Sequence, residues 1–256
     1  AVPLSESAAL ESGEAMLTSD TTVTWDGGKV RGRRVLRLGA IELSSTPVRP
    51  DPVRARHVAL EAVRSGGLDV ASLTKNGESL RRRLALAHRV FGDPWPDVSD
   101  EALLARAEEW LDLDALAAGR GSDATSGLRG LLGWRESARL DEVVPETITV
   151  PSGSRIRIDY PEPGSDTSPV LAVKLQECFG WADGPTVCDG RVRVVLHLLS
   201  PARRPLAVTD DLASFWASVY PAVRVENRGR YSKHPWPEDP MTATPTKRTN
   251  RALRGN

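Results

Sequence analysis

The hydrophobic pattern of this chain changes period at Glu146, and that change constrains the fold more than any other feature. From residue 51 to 145 apolar residues recur every three to four positions, as helices require, and beyond it they alternate every second position, as strands do. Segregated helices and strands define an α+β chain, with a small helical unit followed by a sheet domain. Asp51 followed by Pro52 is a helix start, predicting a helix over 52–65 that stops at Gly66-Gly67. A second helix over 77–91 stacks Leu80, Leu84, Ala87 and Phe91, while Arg81, Arg82 and Arg83 sweep across its other side, either solvated or touching phosphates. Ser99 caps a third, over 100–111, whose apolar stripe includes Leu103, Ala107 and Trp110, with the tryptophan read as core. Residues 119–127 read as a flexible loop, and helix resumes from Leu128 until Pro145 ends it.

After Glu146, strands are predicted at Thr147 to Val150, Arg155 to Tyr160, Val170 to Leu175, Val192 to Leu199 and Leu206 to Val208. Their short spacing suggests a mostly antiparallel sheet, curled or closed into a barrel-like form. Thr209 is the expected N-cap of a C-terminal helix packed on that sheet, with Asp210 and Asp211 at the positive end of its dipole. Leu212, Phe215, Trp216 and Val219 form its apolar face. The proline-stiffened HPWPEDP, 234–240, is either a strap or a mount for Trp236, and the basic tail with Lys247, Arg248, Arg251 and Arg254 is expected to be mobile. Ahead of the helices, Thr21 to Trp25, the turn Asp26-Gly27-Gly28 and Lys29 to Leu38 make a β-hairpin in the segment 1–50. Its return strand carries Lys29, Arg31, Arg33, Arg34 and Arg37 beside Trp25, a phosphate-contacting ribbon or an ordinary solvated face. The chain thus reads as three segments, 1–50, 51–145 and 146–256.

Composition narrows the partners. The 256 residues carry 34 Lys and Arg against 34 Asp and Glu, so no global field draws the chain to nucleic acid, and such binding must come from local clustering. No apolar run is long enough to cross a membrane as a helix, and no membrane partner is expected. Cys178 and Cys188 are the two cysteines, read as buried hydrophobes in a reducing, cytoplasmic compartment. The opening AVPLSESAAL lacks a basic n-region and an apolar h-region, and is read as an internal boundary of a longer protein or an artificially cut end, not as a mature secreted end.

Enzyme chemistry finds little support. Nucleotide hydrolysis needs a glycine-rich phosphate cradle ending in Lys and Ser or Thr, and neither GxxxxGK[ST] nor a DEAH string occurs. No cofactor and no catalytic or metal-ligating residue is assigned. Asp210 and Asp211 point apart on a helix, and Cys178, Cys188, His197 and His234 match no zinc spacing. What remains is binding. Arg155, Arg191, Arg193, Arg203, Arg204, Arg228, Arg230 and Lys233 are candidate phosphate contacts, because guanidinium forks suit phosphate oxygens. Trp236, with Tyr231, is the candidate base-stacking residue for a single strand.

The motifs SPARRPL, TDDLASFW and GRYSKHPWPEDP occur in that order, with PSGSRIRIDY and PVLAVKLQECFG before them and GKVRGRRVLRLGAIELS and WPDVSDEALLAR further upstream. Together they resemble the C-terminal region of HrpB-type ATP-dependent helicases, DEAH-box relatives of the RNA helicases. The resemblance implies that the motor, with its ATP and Mg, lies N-terminal to this region, and that 1–50 adjoins an OB-like part of the helicase. It also implies an accessory region that orients or grips single-stranded RNA or DNA beside the motor domains. The alternative is a protein-interaction module docking a partner or those motor domains.

Overall fold

Three antiparallel strands, β1 (Leu17–Asp26), β2 (Lys29–Leu38) and β3 (Ile41–Val48), lie side by side in that order. They are followed by the first long helix, α1 (Pro52–Gly66). The computed structural model describes residues 12–120 and 124–253. The chain divides into two units, one of residues 1–78 and 100–131 and the other of residues 79–99 and 132–256.

In the first unit the hairpin turn forms where Asp26-Gly27-Gly28 directs it, with Gly27 at φ +57° and Gly28 at φ +77°. β3 was not anticipated. Pro47 lies within it, and an edge strand tolerates a proline because one side of it makes no ladder hydrogen bonds. Three cations of β2 have partners on the sheet: Arg31 pairs with Asp26 at 2.8 Å, Arg37 with Glu42 at 3.8 Å, and Arg33 donates to Ser45 Oγ at 3.2 Å.

α1 starts as its sequence requires, Asp51 Oδ1 accepting the Arg54 N–H at 3.0 Å, and Gly67 ends it at φ +77°. Ala55, Ala59, Leu60 and Val63 form its buried face. The third expected helix breaks at Arg106 into Asp100–Ala105 and Ala107–Trp110. Trp110 is core, and its indole N–H donates to the Leu103 carbonyl at 2.9 Å. Part of the expected loop is the helix Ala124–Gly130. Gly127 is there for close approach: a Cβ on it would fall 1.7 Å from the Trp110 carbonyl oxygen.

The second unit begins within α2 (Lys75–Phe91), which crosses the division after Glu78, and continues with α3 (Trp134–Val143). Its strands are β4 (Thr147–Thr149) with β5 (Arg155–Arg157), β6 (Val170–Lys174), β7 (Thr186–Val187) with β8 (Val192–Arg193), β9 (Val195–Leu199) and β10 (Pro205–Thr209). The main sheet has the order β10-β9-β6 and is open, not a closed barrel. β10 runs antiparallel to β9, but β6 runs parallel to it. The parallel pair departs from the expected hairpins because the β6–β9 connection is long enough to cross over, carrying a 3-10 turn and the β7–β8 hairpin. Leu171, Val173, Leu196 and Leu198 are paired in register and buried, so two adjacent strands supply one continuous core face.

Asp211, not Thr209, caps the helical segment, its Oδ1 accepting the Ser214 N–H at 2.9 Å. Thr209 instead closes the turn before it, its Oγ1 accepting the Asp211 N–H at 3.0 Å. A π-turn at Phe215–Val219 then precedes α4 (Tyr220–Arg230). That extra residue moves the apolar face by one position, so Tyr220 is buried while Val219 is 44% exposed. Pro221, which has no N–H to give the preceding turn, stands at the start of α4 instead of ending the helical run. HPWPEDP is a strap: Pro237 O accepts from Tyr220 Oη at 2.8 Å, Trp236 O from Arg224 Nε at 2.9 Å, and Pro240 O from Gly180 N at 3.0 Å. The tail is also tied down. Thr246 is buried, its N–H donates to Gln176 O at 2.9 Å, and Gln176 Nε2 donates back to Thr246 O at 2.9 Å. Arg254, named with that tail, lies outside the described residues.

Candidate nucleic-acid interface

The arginines of α2 are engaged within the protein. Arg81 and Arg83 are 7% and 4% exposed, Arg81 Nε donating to Val98 O at 2.9 Å and Arg83 Nε to Val144 O at 2.6 Å. Arg83 also pairs with Asp141, Arg82 with Glu162 and Asp159, and Arg89 donates to the carbonyls of Ser165 and Thr167. This run is neither solvated nor phosphate-facing. It stitches α2 to the loops around it, a use that helical periodicity does not reveal because it depends on which loops fold back.

The opposite holds where β9 ends. Ser200, wholly buried, locks the β9–β10 turn with three hydrogen bonds. Its carbonyl accepts from Arg203 N at 2.8 Å, its N–H donates to Arg204 O at 2.8 Å, and its Oγ accepts from Arg204 N at 3.0 Å. Arg203 is held at φ +60°, a left-handed conformation that costs a residue with a Cβ about 1 kcal/mol and that glycine adopts freely. Arg203 and Arg204 are exposed, and among the described residues neither has a carboxylate partner.

Parallel pairing places Lys174 at the same end of the sheet, since it aligns with Leu199. Lys174 is near enough to His234 to help hold its imidazole below the ordinary histidine range, burial being the larger cause. His234 Nδ1 is buried without a hydrogen-bond partner. Lys233 is adjacent and exposed, and its carbonyl accepts the Asn250 N–H at 2.8 Å. Arg228 and Arg230 occupy the last turn of α4, with Arg230 5.7 Å from the Tyr231 ring and Tyr231 stacked on Trp236 at 6.5 Å. Register thus puts Lys174 and the Ser200 turn, with Arg203 and Arg204, at the same end of the sheet, and His234, with Lys233 next to it in the chain, lies close to Lys174.

Three of the arginines read from the sequence stand elsewhere. Arg155 donates to Thr147 Oγ1 at 3.1 Å, and Arg191 lies over the Phe91 ring at 4.8 Å. Arg193 lines a small pocket with Asp183, Asp210 and Asp211. The last two precede β9, about 20 Å of strand from the Ser200 turn, so a shared stretch of sequence does not make a shared site. Lys174, Ser200 and His234 were missed as members. The parallel register that aligns Lys174 with Leu199 leaves no local signal.

No helix among the described residues is long and apolar enough to cross a membrane, and no three His, Cys, Asp or Glu groups cluster as metal ligands. Burial raises both thiols, Cys188 to about 11 and Cys178 further, so neither is a thiolate at neutral pH.

Residues 107–240 match the family described as ATP-dependent helicase C-terminal, HrpB_C. The ATP-dependent RNA helicase HrpB of Escherichia coli (strain K12) is 41% identical over 245 residues, which cover 92% of this chain and 30% of that protein. The crystal structure titled E. coli DExH-box NTPase HrpB superposes with a TM-score of 0.72 at 39% identity, covering 97% of this chain and 31% of the other. A second, titled Escherichia coli DEAH/RHA helicase HrpB, gives 0.62 at 40% identity, covering 86% and 29%. This chain therefore spans about a third of the length of those relatives, and it belongs to the HrpB-type ATP-dependent helicase C-terminal family.

Proposed function

We propose that this region grips a single-stranded nucleic acid for a longer, HrpB-like helicase, and leaves ATP, Mg and the motor chemistry to other domains of that protein. The observation that carries the reading is Arg203: an arginine held left-handed by a buried serine, exposed, with no carboxylate partner among the described residues. Arg203, Arg204, Lys174 and Lys233 supply charge to phosphates, and the Tyr231–Trp236 pair, both half-buried, offers a face to a base. The E. coli relative is named an RNA helicase, so RNA is the first strand to test. The two free, buried cysteines suit the reducing cytoplasm.

The test is a titration of labelled single-stranded RNA at several salt concentrations against the chain and its Arg203→Gly/Arg204→Ala variant. Affinity should fall with salt, and the variant should bind more weakly with a slope lower by roughly 0.7 per lost phosphate contact. Its stability should hold or rise by up to about 1 kcal/mol, because glycine fits the left-handed position.

A second reading rests on a different surface. Met16, Leu17, Ile41 and Leu43 are 56%, 38%, 64% and 41% exposed. Leu17 and Ile41 both pair with Leu38, which puts this apolar surface at one end of the β1–β3 sheet. A patch of that kind suits docking by the motor domains of the longer protein. No RNA binding at low salt would leave this docking role as the function of the region.

A further inference from the structure

The other end of the second unit's sheet has the opposite charge. Thr209, the last residue of β10, pairs with Leu196 near the start of β9, so Asp210 and Asp211 emerge away from the Ser200 turn. With Asp183 and Arg193 they line a depression of about 170 Å³. Ala182 and Ala213 form part of its wall and also part of the wall of a larger cavity, of about 460 Å³. The larger cavity is apolar at its base, with Trp216, Ala217 and Met241, and has Glu238 and Asp239 at its margin. The two cavities thus make one groove with five carboxylates, and Arg193 is its one cation among the described lining residues.

The groove is built rather than incidental. The π-turn sets its base: Trp216 is turned inward, its indole N–H donating to Trp181 O at 2.8 Å, while Ala217 is exposed and leaves room above the ring. Such turns recur where a helix surface is shaped for a ligand. The strap sets the other wall, through Pro240 bonded to Gly180 and Glu238 bonded to Arg224 at 3.0 Å. The Met241 N–H and the Thr242 hydroxyl hold the Asp239 carboxyl below its ordinary range. A phosphate backbone would be repelled here, so this is not an extension of the RNA-gripping end.

We propose that this groove takes a basic peptide segment of a partner protein. One apolar side chain of the peptide seats against Trp216 and Ala217, and flanking Lys or Arg side chains lie on Asp183 and Asp210. The apolar seat gives affinity, and the carboxylates select the sign of the partner and speed its approach. The surface is separate from the Ser200 turn, so it stands whether or not RNA binds there.

The test is fluorescence anisotropy of labelled heptapeptides with lysine and arginine on both sides of a central Leu, Phe or Ala, titrated with the full chain. The Leu and Phe peptides should bind, and the Ala peptide more weakly by about tenfold or more. Ala217→Leu fills the seat from an exposed position and should cost the Leu peptide a similar factor, and Ala213→Leu does the same should the first variant fold poorly. Asp183→Asn with Asp210→Asn should weaken both peptides and flatten their salt dependence, while Arg203→Gly/Arg204→Ala changes nothing. The proposal is overturned if the central residue makes no difference, if an acidic peptide binds equally well, or if no peptide binds at all. It is also overturned if Ala217→Leu abolishes self-association of the chain, which would make a second copy the occupant.

Discussion

Two groups of arginines in the same unit have opposite fates. Those of α2 are turned inward or held by loops: Arg81 and Arg83 are buried, and Arg82 and Arg89 are tied to the 159–167 segment. Those at and after the Ser200 turn, Arg203, Arg204, Arg228 and Arg230, are exposed and have no carboxylate among the described residues. The difference lies in what surrounds each group. α2 lies against loop carbonyls that need donors, and a guanidinium on a long apolar stem reaches them without burying its helix backbone. The Ser200 turn satisfies its own backbone, so its arginines are left for a ligand. An arginine count therefore says little about nucleic-acid binding until the internal uses are subtracted.

The largest way to break this contrast is Arg83→Ala. The change leaves the buried Val144 carbonyl without its donor and opens a cavity. Asp141, whose side chain is 75% exposed, returns to water cheaply, so the cost stays below that of breaking a fully buried pair. We expect a loss of about 2–3 kcal/mol, a fall in Tm of roughly 5–10 °C by calorimetry, with RNA affinity of the folded protein unchanged. Arg83→Lys should not rescue it, because an ammonium cannot reproduce the planar fork that meets Val144 and Asp141 together. A fully stable Arg83→Ala would mean the inward group is not structural.

Arg224 sharpens the comparison, since it shares α4 with Arg228 and Arg230 but faces the strap. Its Nε donates to Trp236 O at 2.9 Å and it pairs with Glu238 at 3.0 Å, its side chain being 19% exposed. Arg224→Ala should cost about 1 kcal/mol by denaturant titration and loosen residues 234–240, which amide hydrogen exchange would detect as faster exchange there. Arg228→Ala, one turn on and exposed, should leave both unchanged.

Local chemistry made much of this fold legible. Asp51-Pro52 and Gly67 bound α1, Asp26-Gly27-Gly28 turned the hairpin, and the alternation of Ser154 to Tyr160, which points Ile156 and Ile158 inward, meets a half-buried Ile156, a buried Ile158 and exposed Arg155, Arg157 and Asp159. What stayed hidden is non-local. The parallel β6–β9 pairing brings Lys174 to the Ser200 turn, the π-turn shifts the apolar face from Val219 to Tyr220, and Gly127 is a packing glycine inside what reads as a flexible loop. In the candidate site, the motif residues Arg203, Arg204 and Lys233 were visible. Their separation from Arg191 and Arg193 was not, because strand length and register decide it.

The smallest effect tests the electrostatics of the basic end itself. His234 sits beside Lys174, and burial together with that charge holds its imidazole below the ordinary value of about 6.5. As pH falls past about 6.5 the unfolded chain takes up a proton before the folded one, so the unfolded state binds more protons and folding stability decreases. The contribution is fully present above about 6.5 and is lost as pH drops through the lower folded value. Between about pH 7 and about pH 5, Tm should therefore decline, and His234→Gln should decline less over the same range. Once protonated, His234 adds a cation beside Lys174 and Lys233. RNA affinity should then rise as pH falls in the wild-type chain and not in His234→Gln. Opposite slopes for stability and affinity would mark this end of the sheet as charge held in reserve for a ligand, whereas parallel slopes would place His234 with the inward, structural group.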